Sequence, residues 1–257
     1  MFAQNKTSIT TAVILAAGQG VRLQSGPEDP PKGLWQLGGE TLLARSIRIL
    51  RGHGIGRILI AIGYQGSLIQ RAFPEIECIE NPAYHQSGSM ESLNCILPNL
   101  QEDFLLLESD LLYESRAIAQ AIQHPSRNLV LASPPPQAGD EVWVDAPNGR
   151  VRDLSKTPPP QLAKINEFVG INRLSMELAQ HMKSVYQQMQ EQSQPNNISY
   201  ETDALVKAAE QIPIELLRLD GLIWGELDTL DHYNRLQKVV LPQLTHVEPP
   251  AYKPLLE

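Results

Sequence analysis

Two kinds of stretch in this chain could handle a charged ligand. The first is Leu15-Ala16-Ala17-Gly18-Gln19-Gly20-Val21-Arg22-Leu23, followed by Pro31-Lys32-Gly33-Leu34. The apolar run Thr11 to Leu15 leading into it reads as a buried strand. A strand that runs into glycines exposes N–H groups with no side chain in the way, a shape suited to a phosphate or the edge of a base. Arg22 and Lys32 bring two positive charges to the same end. The second kind is acidic. Leu106-Leu107-Glu108-Ser109-Asp110 closes one apolar run, and Trp224-Gly225-Glu226-Leu227-Asp228 closes another. Carboxylates at strand ends suit magnesium, which takes one or two of them with phosphate oxygens and water. Side-chain alternation puts Glu226 and Asp228 on one side of an extended segment, from which Asp228 could meet Asp110 across a cleft. Read alone, Asp110 is equally a helix cap or turn former, and Asp228 or Thr229 a cap for the last helix.

The elements that must position these residues alternate. Strands are predicted at Thr11 to Leu15, Arg57 to Ile62, Glu77 to Glu80, Phe104 to Leu107 and Leu129 to Ala132. Helices are predicted at Glu40 to Gly52, Gly66 to Ala72, Ser89 to Leu97 and Ala117 to Gln123. Continuous apolar strands imply burial on both faces, hence a three-layer α/β/α, mostly parallel, Rossmann-like sheet. In such a sheet ligands bind beyond the carboxyl ends of the strands, where the glycine loop and Asp110 lie.

After Pro134-Pro135-Pro136 the rhythm changes. A hairpin is expected from Val142 to Leu154 with Asn148-Gly149 at its turn, then a loop at Thr157 to Pro160 and a strand at Phe168 to Ile171. Helices follow at Met176 to Met189 and Glu201 to Gln211, separated by a Gln-, Pro- and Asn-rich segment, Gln192 to Asn197. Short strands at Ile214 to Leu219 and Leu222 to Trp224 precede a closing helix, Leu230 to Val240. The expected organisation is a single domain over 10–240, a small β-containing lid at about 134–172, and an extended proline-rich tail over 241–257.

The glycine string is not a Walker loop, because no Gly-Lys-Ser/Thr closes it. Nor is it a dinucleotide fingerprint, because Gly18 to Leu23 lacks the third glycine. With its Pro-Lys it resembles the signature of the nucleotidyltransferases that activate sugar phosphates and phosphorylated alcohols. Asn81-Pro82-Ala83-Tyr84 and the following Ser87-Gly88-Ser89-Met90-Glu91-Ser92-Leu93 resemble a segment of the phosphocholine and 2-aminoethylphosphonate cytidylyltransferase group. Gly88-Ser89 stands where that group often has two asparagines, and Asn166 stands where it has a glycine before Glu167.

The resemblance implies magnesium-dependent transfer of CMP from CTP to a phosphorylated or phosphonylated amino alcohol, releasing pyrophosphate. It gives Arg22, Lys32 and Lys156 catalytic roles and assigns the nucleotide to Leu15, Ala16, Ala17, Gly18, Gly20, Gly88, Ser89 and Ser92. Asp110, Asp228 and Glu226 would hold the metal. Trp143, Glu167, Tyr200 and Asp203, with Glu201 beside them, would face the acceptor, an aromatic surface plus carboxylates suiting an amine. The alternative within the class is a sugar-1-phosphate acceptor with UTP, GTP or CTP. Outside it stand a nucleotide-sensing protein on the same fold and a dehydrogenase; Gly63 and Tyr64 stand where a dehydrogenase wants an acid.

Bulk properties agree. A chain of 257 residues, 42% hydrophobic, is long enough for one sizeable α/β core. A formal net charge of -8 argues against nucleic acid and anionic membranes as partners, but not against one triphosphate. Cys78 and Cys95 make neither a disulfide framework nor a cysteine-rich zinc site. No signal core or membrane span is read, so a cytoplasmic enzyme is expected, with room for a homodimer.

Overall fold

Alternate residues of Thr11–Ala16 (β1) enter different cores: Ala12, Ile14 and Ala16 join one cluster, Val13 and Leu15 another. A strand buried on both faces needs helices on each side. That is the architecture of the computed structural model, which describes residues 9–23, 26, 29–135, 139, 141–158, 166–192 and 200–248.

After β1 come a 3-10 turn at Lys32–Leu34, a small hairpin of β2 (Gln36–Leu37) and β3 (Glu40–Thr41), and α1 (Leu42–Gly52). Next are β4 (Arg57–Ile62), α2 (Gly66–Ala72), β5 (Glu77–Glu80), α3 (Ser89–Ile96), β6 (Phe104–Glu108) and β7 (Leu111–Tyr113). Then follow α4 (Arg116–Gln123), β8 (Leu129–Ser133), the hairpin β9 (Trp143–Asp145) and β10 (Asp153–Ser155), and β11 (Glu167–Leu174). The chain continues through α5 (Met176–Gln192), α6 (Glu201–Ala209), β12 (Glu215–Arg218), β13 (Trp224–Glu226) and α7 (Leu230–Arg235), with a π-helical segment Leu236–Val240 leading into α8 (Leu241–Val247).

Nine strands form the main sheet, in the order β10-β9-β11-β6-β1-β4-β5, with β8 pairing β11 and β12 pairing β8. β1 is parallel to β4 and β6, β4 to β5, and β12 to β8. β11 runs against β6 and β8. One face packs against α1, α2 and α4 through residues such as Leu43, Ile47, Ile69 and Ile118. The other packs against α3, α5 and α6 through Met90, Leu93, Leu178, Met182 and Leu205. A third cluster joins Leu23, Leu37, Leu42, Leu112, Leu227, Leu236, Val240 and Leu244. It pins the end of the glycine loop to the C-terminal helices. Among the described residues no helix is long and apolar enough to cross a membrane.

Several expectations are corrected. Glu40 and Thr41 are strand, not helix: Thr41 is the N-cap of α1, its hydroxyl accepting from Ala44 N–H at 3.1 Å. The last short strand lies at Trp224–Glu226 rather than Leu222 to Trp224, because its partner is β7, which sequence reading did not find. β11 is not lid material but a wholly buried strand inside the sheet. The tail is not extended from Pro242: that proline occupies the first turn of α8, where its missing N–H costs nothing, and helix continues to Val247. The Asn-Gly turn forms as expected, with φ of 56° at Asn148 and 79° at Gly149. The prolines at 136, 159, 160, 249, 250 and 254, and residues 193–197, lie outside the described residues.

Asp103 gives the fold an acid-sensitive joint. It forms a two-pronged ion pair with Arg127 at 2.7 and 2.8 Å and accepts the Met176 N–H at 3.2 Å. Burial pushes its carboxyl up, but the Arg127 and Met176 hydrogen bonds and the Arg127 charge outweigh burial and leave it below its ordinary value. A lowered native pKa gives stability that is present above the unfolded value, about 4, and lost as pH falls through the native one. Asp103→Asn should therefore be less stable than the parent chain at pH 7, with the difference closing towards pH 2 to 3 in urea melts. A pH-independent difference would contradict this.

Candidate active site

The glycine loop is shaped by what its glycines admit. Gly20 has φ of +63°, and a Cβ there would stand 3.0 Å from Lys32 Cγ, so the lysine stem lies across the loop. A Cβ on Gly33 would meet Leu43 Cγ at 2.6 Å and the Ser109 carbonyl at 3.2 Å. The residue after Lys32 is therefore pressed against the loop that carries Asp110. The loop after β4 closes the other side, with Tyr64 N–H donating to Ala17 O at 3.1 Å.

These contacts deliver Lys32 Nζ between two carboxylates. It donates to Asp110 Oδ2 at 2.8 Å and to Asp228 Oδ1 in a shorter contact, while Arg22 Nη2 pairs with Asp228 Oδ2 at 2.9 Å. Asp228 is 3% exposed and Arg22 is largely exposed. Thus Asp110 and Asp228 do meet, with an ammonium between them. β7 and β13 explain the meeting: Glu226 lies opposite Leu111, and Leu227 N–H donates to Asp110 O at 2.9 Å. Thr229 caps α7 through His232 N–H at 3.2 Å, leaving Asp228 to the cations.

Burial works on Lys32 to lower its pKa, but Asp110 and Asp228 outweigh it and hold the group far above its ordinary value, charged at any working pH. Burial likewise works to raise Asp228; Lys32, a hydrogen bond from Glu226 and Arg22 bring it well below its ordinary value. Glu108 and Glu226 go the other way. Burial first, then neighbouring carboxylates, push both well above the usual range. Carboxylate oxygens of Glu108, Asp110 and Glu226 lie within 4.8 Å of one another. A convergent set of hard oxygen donors fits a divalent ion such as magnesium. Sequence reading passed over Glu108 as a site residue, although its place at the end of an apolar strand was the available signal.

Gly88 is the N-cap of α3. Ser89 Oγ donates to Glu201 in a short contact and accepts Glu201 N–H at 3.2 Å, tying the starts of α3 and α6 together. Ser92 is buried and takes a 3.1 Å hydrogen bond from Asn81 Nδ2, which also reaches Ser87. Ser92 therefore braces the loop from within. A cavity beside it is lined by Gln86, Ser87, Gly88, Glu91 and Tyr186.

The expected acceptor residues divide. Trp143 sits opposite Glu167 across β9 and β11, and Glu167 is buried. Tyr200 is 56% exposed, and Asp203 takes the Tyr200 N–H at 2.8 Å as a helix cap. Glu201, between them, turns inward and is 3% exposed. Lys156 is exposed beyond β10 and is not brought into the ion-pair network.

Residues 12–192 match the model of the MobA-like NTP transferase domain. The chain belongs to this family. It is 29% identical over 143 residues to a CMP-5'-(3-aminopropyl)phosphonate synthase of Streptomyces rubellomurinus, a match covering 52% of this chain and 23% of that protein. It is 24% identical over 237 residues to a bifunctional IPC transferase and DIPP synthase of Thermococcus kodakarensis, covering 90% and 50%. The chain thus spans half or less of the length of these two relatives. Among solved structures, the inositol-1-phosphate CTP transferase from T. maritima superimposes with a TM-score of 0.74 at 18% identity, over 96% of this chain and 99% of that one. The CTP:phosphocholine cytidylyltransferase from Streptococcus pneumoniae gives 0.74 at 19% identity, over 90% and 99%. The chain is therefore a member of the MobA-like NTP transferase family on a Rossmann-like fold that it shares with two CTP transferases of known structure.

Removing Lys32 leaves two aspartates facing each other with only Arg22 to compensate. Lys32→Ala should cost about 3 kcal/mol in urea unfolding at pH 7, with Lys32→Arg losing less. Equal stability of Lys32→Ala and the parent chain would show that the ammonium does not hold this site together.

Proposed function

We propose that the chain transfers CMP from CTP to a phosphorylated or phosphonylated amino alcohol, phosphocholine or 2-aminoethylphosphonate, with release of pyrophosphate. The observation that carries this reading is the network in which Lys32 and Arg22 meet Asp110 and Asp228 at the ends of β1 and β6. The likeness to a CMP-phosphonate synthase supports the choice of nucleotide. The inward-turned Glu201 supports an amine on the acceptor.

An acceptor phosphate or phosphonate oxygen forms the new bond to the α-phosphorus, and the bond from that phosphorus to the pyrophosphate oxygen breaks. The nucleophile is already an anion, so no general base is needed. The barrier is repulsion between anions and poor alignment, and fixed cations lower both. Lys32, permanently charged, and Arg22 at the rim would neutralise the triphosphate. Asp110, Glu226 and Asp228 would hold magnesium, which when bound draws charge from the phosphate oxygens at the reacting phosphorus. Leu15, Ala16, Ala17, Gly18 and Gly20, with Gly88 and Ser89, would cradle base and ribose, and Ser92 would keep that loop in shape. The β9–β10 hairpin would serve as the lid, with Lys156 reaching the acceptor phosphate. Trp143, Glu167, Tyr200 and Asp203 would border the amine end. A sugar-1-phosphate acceptor is the second reading, favoured by the opening motif, which resembles that of enzymes activating sugar phosphates.

Pyrophosphate release should be followed with magnesium, pairing CTP, UTP, GTP and ATP with phosphocholine, 2-aminoethylphosphonate and sugar-1-phosphates. CTP with one of the amino alcohols is expected to turn over, Asp110→Asn to lower kcat about 100-fold or more, and Lys156→Ala to raise the acceptor KM. Turnover with sugar phosphates alone would replace the acceptor. Nucleotide binding without turnover on any pair would favour a nucleotide-sensing protein.

A further inference from the structure

On the face of β13 turned away from the cleft lies a second concavity, a cavity of about 200 Å3 that opens to solvent. Leu222 and Ile223, before the strand, and Val239 and Val240 of the π-helical segment give it apolar walls. Arg235 and Gln243 bring polar groups to it.

Three features of the chain converge on Arg235. The first is Gly225. Side chains alternate along a strand, and Glu226 faces the acids of the cleft, so position 225 faces the other way. A Cβ there would stand 2.7 Å from Leu236 Cδ2 and 3.0 Å from Arg235 Nη1. The missing side chain lets the guanidinium lie against the back of the strand. The second is the π-helical segment Leu236–Val240, which begins directly after Arg235. Its hydrogen bonds join residues five apart, which brings Val240 to the face that carries Arg235, and such segments are frequent at functional sites. The third is electrostatic. Arg235 forms no hydrogen bond or ion pair with any described residue. The acids of the adjoining loop are already paired: Glu114, which accepts the Ile223 N–H at 3.4 Å, with Arg116 at 2.8 Å, and Asp220 with Arg218 at 2.7 Å.

Arg235 is half-buried, so its cation has given up part of its hydration without gaining a partner. An anion entering the cavity would supply one, because a guanidinium takes a carboxylate or a phosphate through two parallel N–H donors. The apolar walls, with Val239 48% exposed at the rim, favour an anion that carries an apolar body over a bare inorganic ion.

We propose that this cavity is a binding site, separate from the cleft, for a small organic anion. The ligand is a carboxylate or phosphate ester whose charged end meets Arg235 and whose apolar part lies against Leu222, Ile223 and Val239. β13 is the wall that the two sites share, with Gly225 on one face and Glu226 on the other, so a ligand here bears on the strand that carries an acid of the cleft.

Trp224 borders the cavity, and its indole N–H, which donates to Ser133 Oγ at 2.6 Å, gives one of three tryptophan signals in 1H–15N spectra of the full chain. Trp224→Phe identifies that signal. The probes are phenyl phosphate, benzoate and the uncharged benzyl alcohol. Phenyl phosphate or benzoate should move the Trp224 signal with a Kd below about 1 mM, and the tighter of the two names the charged group. Benzyl alcohol should bind about tenfold more weakly or worse. Arg235→Gln, which breaks no contact within the chain, should melt at the parent temperature and bind the anion about tenfold more weakly or worse. Arg235→Lys, a point charge without the fork, should fall between the two. Arg22→Gln, at the rim of the cleft, should leave the Trp224 response as in the parent. A Trp224 signal that stays still in the parent chain would overturn the site. So would an anion affinity unchanged in Arg235→Gln, and its loss in Arg22→Gln would place the anion in the cleft instead.

Discussion

The site is organised by one ammonium group. Lys32 reaches between Asp110 and Asp228, and much of the surrounding structure exists to let it. Gly20 clears its stem, Gly33 lets its backbone press on the Asp110 loop, and the β7–β13 pair carries Asp228 to Asp110. Without the lysine, two desolvated acids would repel each other; with it, each fixes the position of the other two. A cation held by opposed anions is pre-aligned, and alignment is what a reaction between phosphate anions lacks.

The same electrostatics sorts the remaining acids. Asp228, next to two cations, is easily ionised, whereas Glu108 and Glu226, desolvated and short of positive charge, resist ionisation. Such divergence among neighbouring carboxyls marks places where a charged ligand completes the balance. Glu201 carries the same tension from α6, and its reciprocal hydrogen bonds with Ser89 connect the start of α3 to the start of α6.

Much of the frame was legible in the sequence because burial dictates composition. β4, α2 and β5 have the expected limits: a continuous apolar run, glycine boundaries and a short apolar helix leave little alternative. The approach of Asp110 to Asp228 was legible too, because each aspartate lies just past the end of an apolar run. What escaped was set by distant partners. β7 and β13 are each three residues long and exist as strands only because they pair. Glu108 was read only as part of the segment that follows a strand, since nothing near it in sequence reveals that its carboxylate lies against Gly170. Pro242 looked like a stop, but a π-helical turn before it lets the helix continue. Lys156 was placed from resemblance, and its neighbourhood in the fold is solvent.

The ion pairs also constrain the order in which this molecule can be assembled. Lys32 is separated from Asp110 by 78 positions and from Asp228 by 196, and Arg45 from its partner Glu248 by 203. Contacts of such long range pay their chain-closure entropy before they return anything, which slows folding and makes it cooperative. A nascent chain emerging from the ribosome can lay down β1, β4 and β6 early, yet its ion-pair centre stays half-made until the β13 region has been synthesised. A translation product truncated before Asp228 would carry the glycine loop without the carboxylate that pairs with its lysine.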